Sequence, residues 1–176
     1  MSWAEVFKIN SNLKKPLNEQ IRDTKCVPFR VLTASTTYVP EKTGYYKIIC
    51  IGAGGTSAGN TRASADTYCV VSGAGGGVAV KTMKLVKSTS YTVTIGGGAS
   101  FGGTVSATGA SAGSVTSAGS TITDSVPGTA TGGDYNYTGL SGSKEYNSNA
   151  KSINGGSVGV FITELQSINT ITNGLL

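Results

Sequence analysis

The chain has 176 residues, a length that fits one compact domain with a short appendage and makes two domains unexpected. Gly (26), Ser (21) and Thr (23) make up 70 of these residues against 8 Leu, and His is absent; this excludes an ordinary helical protein and removes the commonest general base and nitrogen ligand for transition metals. The net charge of +5 lies mostly in residues 1–30, where six Lys and Arg face three acids, so the remainder is nearly neutral and a nucleic-acid interface is not expected.

Val, Ile and Thr number 49, and residues branched at Cβ fit a pleated sheet better than a helix, so the class is all-β. No basic stretch followed by a short apolar run opens the chain, and no apolar run approaches 18 residues. Neither a secretion signal nor membrane insertion is expected. Cys26, Cys50 and Cys69 form no Cys-x-x-Cys pair, so no disulfide framework or metal site is expected. Cys50 and Cys69 sit beside apolar residues and read as small buried hydrophobes.

Residues 1–30 read as a helical attachment or oligomerisation segment. Ser2-Trp3-Ala4-Glu5 is a capping box, in which the Ser hydroxyl and the Glu carboxylate satisfy the first free amides of a helix. Trp3 and Phe7 form one apolar face, and after Asn10-Ser11-Asn12 the spacing resumes at Leu13, Leu17 and Ile21. A stripe on so short a segment needs a partner surface, either the body of the chain or a neighbour.

Residues 31–163 read as a glycine-rich β domain. Arg30 to Tyr38 and Tyr45 to Ile51 are predicted strands, separated by the turn Pro40 to Gly44. The second is nearly continuous in apolar residues, as in a strand covered on both faces. Further strands are predicted over Tyr68 to Ser72, Gly77 to Lys87, Ser90 to Ile95 and Ser157 to Thr163. Glycine runs lie between them, at 52–55, 73–77, 96–98, 102–103 and 132–133. Free glycine loops lose the most entropy on ordering. Two alternatives stand for these runs, extended glycine backbones packed on one another or flexible loops. Residues 164–176 read as a C-terminal tail.

Chemical motifs are few. Ile51-Gly52-Ala53-Gly54-Gly55 imitates a dinucleotide-binding turn, but Ser57 stands where the third glycine belongs and no helix pattern follows. Lys81, Lys84 and Lys87 split between two faces of a strand and lack an aromatic platform. Asp124, Asp134 and Glu145 are the acids of a long uncharged stretch, and their separation is not legible in sequence. With no His to activate a Ser or Thr nucleophile, no catalytic residue and no cofactor are expected. The sharpest local feature is Asp134-Tyr135-Asn136-Tyr137, flanked by Gly133 and Gly139. Its tyrosines either fill a thin core or stack on a sugar that Asp134 and Asn136 orient.

The order of these motifs resembles the glycine-rich domains of bacteriophage tail-fibre and related virion proteins. The resemblance rests on Thr37-Tyr38-Val39-Pro40, Gly44 to Ile48 and Gly52 to Gly55, then Gly75 to Thr82 and Ser90 to Gly98. Phe101 to Gly109, Gly132 to Asp134 and Gly155 to Ile162 complete it. It implies a β-sandwich-like body with packed polyglycine segments, and no enzymatic activity. It also implies a tail fibre or baseplate-associated tip that attaches to the host surface, assembled in the host cytoplasm and located in the virion. Partners would be other virion proteins, met through residues 1–30, and a host cell-surface polysaccharide, with a homotrimer as the expected assembly. Residues 107–131 use Ser, Ala and Thr where such domains often have Gly, which argues against a tight polyglycine lattice there. Two alternatives stand: a head decoration or head-fibre protein, and a carbohydrate-binding module of a cellular protein.

Overall fold

The computed structural model describes residues 29–61, 68–116, 121–146 and 158–165. Of the segment 1–30 expected to be helical, Phe29 and Arg30 belong to a strand, and the rest, with the stripe residues Trp3, Phe7, Leu13, Leu17 and Ile21, lies outside the described residues. Every element among the described residues is a strand.

The expected first strand is two short ones, β1 (Phe29–Leu32) and β2 (Thr36–Tyr38), which belong to different sheets. Ser35 makes the crossing, since its Oγ accepts from the Ile95 amide at 2.9 Å and donates to the Ile95 carbonyl at 3.1 Å. β3 (Gly44–Ile51) follows the Pro40 turn, and β4 (Ala58–Thr61) and β5 (Tyr68–Val71) pair antiparallel beyond it. β6 (Val78–Leu85) and β7 (Tyr91–Ile95) are joined through Ser88, a residue other than glycine at positive φ (62°). β8 (Ala99–Phe101) and β9 (Val105–Ala107) form a hairpin whose turn places Gly102 and Gly103 at φ 59° and 69°, where a side chain would be strained. β10 (Ser114–Val115), β11 (Ile122–Thr123), β12 (Ala130–Thr131), β13 (Tyr135–Tyr137), β14 (Lys144–Tyr146) and β15 (Gly159–Leu165) complete the chain.

Two five-stranded antiparallel sheets carry the body, with orders β1-β15-β3-β6-β13 and β12-β9-β8-β7-β2. Alternation decides which residues they bury between them. Tyr46, Ile48 and Cys50 of β3 point inward with Val160 and Ile162 of β15, against Val93, Phe101 and Val105 of the second sheet. Phe101 is fully buried, stacked on Tyr91 at 5.5 Å between ring centroids and tilted against Tyr38 at 6.1 Å. This ring does much of the work of a core with few large side chains. Cys50 and Cys69 are both buried, as small hydrophobes would be, and burial pushes the Cys50 thiol up to about 12.

Candidate functional site

Five segments of the chain leave the body and continue its strands: residues 52–57, 72–77, 108–113, 124–129 and 138–143. They bond to one another at intervals of three residues. Gly52 and Gly55 donate to the carbonyls of Gly77 and Ala74, Ser72 and Gly75 to those of Ser143 and Leu140, and Thr108 and Ser111 to those of Thr129 and Val126. These pairs run antiparallel. Ala110 and Gly113 donate to Ala53 and Thr56, which makes a parallel pair in the same bundle. Among the described residues no backbone bond joins two positions of one segment. A three-residue repeat with outward bonding is the pattern of extended, polyproline-II-like backbone. The glycine runs at 52–55 and 73–77 are therefore packed segments and not loose loops.

Close approach explains the glycines. A Cβ added at Gly52 or Gly128 would run into the Thr108 carbonyl, one at Gly76 into that of Gly52, and one at Gly139 into that of Gly75. Residues 108–113 and 124–129 join the lattice despite their Ser, Ala and Thr content, contrary to the expectation drawn for residues 107–131 from their composition. Glycine stands at the close contacts: a Cβ added at Gly109 would meet the Gly97 carbonyl, one at Gly113 the Val71 side chain and one at Gly128 the Thr108 carbonyl. Ser125, buried in the bundle, accepts from the Ala74 amide and donates to the Ser111 carbonyl, so it replaces a backbone partner.

Beyond the bundle lies a small cap, the three-stranded sheet β14-β5-β4 and the β10–β11 hairpin. The molecule thus has two poles. Leu165 pairs with Tyr45 and Phe29 with Thr163, so both outer ends of the described chain stand at the pole opposite the cap.

Asp134 to Tyr137 lie on the flank, where the chain crosses from β12 to β13. Tyr135 and Tyr137 alternate with Asn136, so both project from the outer face of the first sheet, 64% and 57% exposed. They do not fill the core. The polar partners are engaged within the chain. Asp134 accepts from Lys81 Nζ and the Thr82 amide, both at 2.7 Å, and these bonds hold its carboxyl below the usual carboxylate range. Asn136 Oδ1 accepts from the Gly133 amide and its Nδ2 donates to the Gly133 carbonyl, each at 3.0 Å. Gly132, at φ 74°, starts this turn. The four residues form a rigid edge that presents two aromatic faces. Asp124 pairs instead with Lys144 at 2.9 Å, so the two acids sit in separate ion pairs.

A cleft of about 280 Å³ opens at the pole opposite the cap, lined among others by Arg30, Tyr38, Glu41, Tyr46 and Glu164. Burial, then the neighbouring Tyr46, raises the Tyr38 phenol; burial, then the Glu164 carboxylate, raises that of Tyr46. No sequence signal could have found this cleft, because its residues come from β1, β2, β3, β15 and a turn that only the sheet pairing brings together. Among the described residues no three His, Cys, Asp or Glu side chains gather around a cation position.

A two-sheet antiparallel sandwich prolonged by a bundle of glycine-studded segments defines a glycine-rich β domain. The chain belongs to the glycine-rich domain family, which it matches over residues 31–170. Comparison with curated proteins and with solved structures finds no match.

Proposed function

We propose that this protein is a structural component of a bacteriophage virion, a tail fibre or baseplate-associated tip that contacts the host surface. The observation that carries this reading is the polarity of the molecule. Both outer ends of the described chain leave from one pole, and a bundle of segments projects a cap to the other. An end-anchored module that holds a surface away from its base suits attachment better than enclosure or catalysis. Residues 1–30 join the particle, and the assembly is a homotrimer. The cap, the bundle and Tyr135–Tyr137 expose hydroxyls, amides and two aromatic faces with few charges, which suits a neutral surface polysaccharide.

Two measurements test this. Immunogold labelling of particles should place the protein at the tail; labelling of the head would refute the attachment role and favour decoration. Purified protein should bind host cells and be displaced by their extracted polysaccharide. Binding that survives removal of the polysaccharide would refute the receptor class.

A further inference from the structure

The outer faces of the two sheets differ in their central rows. On the second sheet the row Thr94–Ser100–Ser106–Thr131 crosses four strands with hydroxyls outward, and Thr37 faces Thr92 alongside it. That is how an antiparallel sheet meets water. On the first sheet the equivalent row is Val31–Phe161–Ile49–Val80–Tyr135, crossing all five strands. A second row carries Ile51, Val78 and Tyr137, and the row on the other side, Phe29–Thr163–Lys47–Thr82, turns polar toward the pole opposite the cap. Phe29 lies against Phe161 with ring centroids 5.8 Å apart, and Phe29 and Val31 are 58% and 47% exposed. No described residue covers this face, although the apolar run of β3 is the pattern of a strand covered on both sides.

We propose that the chain's own N-terminal segment lies across it. Residues 1–28 run directly into Phe29, the first residue of β1 at the edge of this sheet, and carry the apolar stripe Trp3, Phe7, Leu13, Leu17 and Ile21. The dimensions agree. Residues 24–28 reach about 17 Å when extended, and a helix about 10 Å across spans two strand spacings of about 4.8 Å. The stripe then rests on Phe161 and Ile49, and leaves Tyr135 and Tyr137 open at the far rim. Lys15, Glu19 and Arg22 fall on the opposite side of the helical wheel from Leu13, Leu17 and Ile21, so the outward side of the segment carries charges of both signs. This inference does not depend on the virion reading.

Trp3 is the single tryptophan of the chain and reports directly on the segment. In the full-length protein its emission should be blue-shifted and shielded from acrylamide. Ile49→Lys, and separately Ile49→Thr with Phe161→Thr, should shift the emission red and remove the shielding, with the β signature in circular dichroism kept. Thr92→Lys, on the outer face of the second sheet, should change neither. A Trp3 that is fully quenched in the native chain, or shielding that survives both first-sheet variants, would overturn the proposal. So would recovery of shielding when the Ile49→Thr/Phe161→Thr chain is refolded together with a Trp3→Phe chain of native face, because the occupant would then be a second copy.

Discussion

Ile51-Gly52 and Ile95-Gly96 are the same dipeptide at the end of a strand, yet alanine should have opposite effects at the two glycines. A Cβ on Gly52 would lie 1.9 Å from the Thr108 carbonyl oxygen, where ordinary contact begins at 3.4 Å. The segments would have to part by about 1.5 Å, enough to stretch a hydrogen bond of 2.9 Å beyond bonding range. Three bonds converge here, Gly52 to Gly77 at 2.9 Å, Gly77 to Thr108 at 3.0 Å and Ala110 to Ala53 at 2.8 Å. At about 0.5–1.5 kcal/mol net for each bond, with overpacking of about 1–3 kcal/mol, the cost of Gly52→Ala is about 4 kcal/mol. For a chain of this size that lowers Tm by roughly 8–16 °C. Gly96 has nothing within 4 Å of an added Cβ. Its replacement by Ala should be neutral or raise stability by about 0.4–1 kcal/mol, through the unfolded state. Thermal and urea unfolding followed by circular dichroism decide the matter. Equal stability of the two variants would show that the bundle is not close-packed.

Phe101→Ala should cost about 3–5 kcal/mol, read as a fall in the urea midpoint at unchanged slope, because the ring is fully buried between Tyr38 and Tyr91. The depressed carboxyl of Asp134 contributes stability above its unfolded value near 4 and loses it as pH falls through the lower folded value. The protection factor of the Thr82 amide, which donates to this carboxylate, should therefore fall in acid, and Asp134→Asn should flatten that dependence. With its thiol raised to about 12, Cys50 favours the fold below about pH 9, and the contribution declines as pH climbs from there toward 12; iodoacetamide at pH 8 should label it only in denaturant. Tyr135→Ala with Tyr137→Ala should weaken host-cell adsorption by about 1–3 kcal/mol per ring, taking base stacking as the guide, and adsorption unchanged in a folded double variant would remove this edge from the contact surface.

Strand positions were legible wherever one strand carried its own signal. Tyr91, Val93 and Ile95 alternate with threonines, and the apolar run at 45–51 marks the central strand β3. Residues 30–38 misled, because the switch between sheets depends on Ser35 meeting Ile95 sixty residues away. The bundle was half legible. Glycine runs suggested packed backbone, but which glycines are indispensable depends on which carbonyl faces each one, and Gly52 and Gly96 have the same preceding residue. For Asp134 to Tyr137, the sequence left core filling and exposure of the tyrosines open, and only the β6–β13 pairing, with Tyr135 and Tyr137 beside the outward Val80 and Val78, decides for exposure. The engagement of Asp134 with Lys81 could not be anticipated, since it requires the β6–β13 register.

The direction of the bonds in the bundle bears on how this molecule meets force. If the pole where Phe29 and Leu165 stand is held and the cap is pulled, tension runs along the five segments, while the bonds between them lie across the pull. Such bonds are loaded in shear, so several must break together before any segment slides. A hairpin opened from its turn breaks one at a time. Ser125 apart, side chains contribute little to this resistance, because at Gly52, Gly76, Gly128 and Gly139 the close contact is with backbone. Rupture force should then be insensitive to most surface substitutions in the bundle and fall sharply when a glycine at a crossing point is replaced.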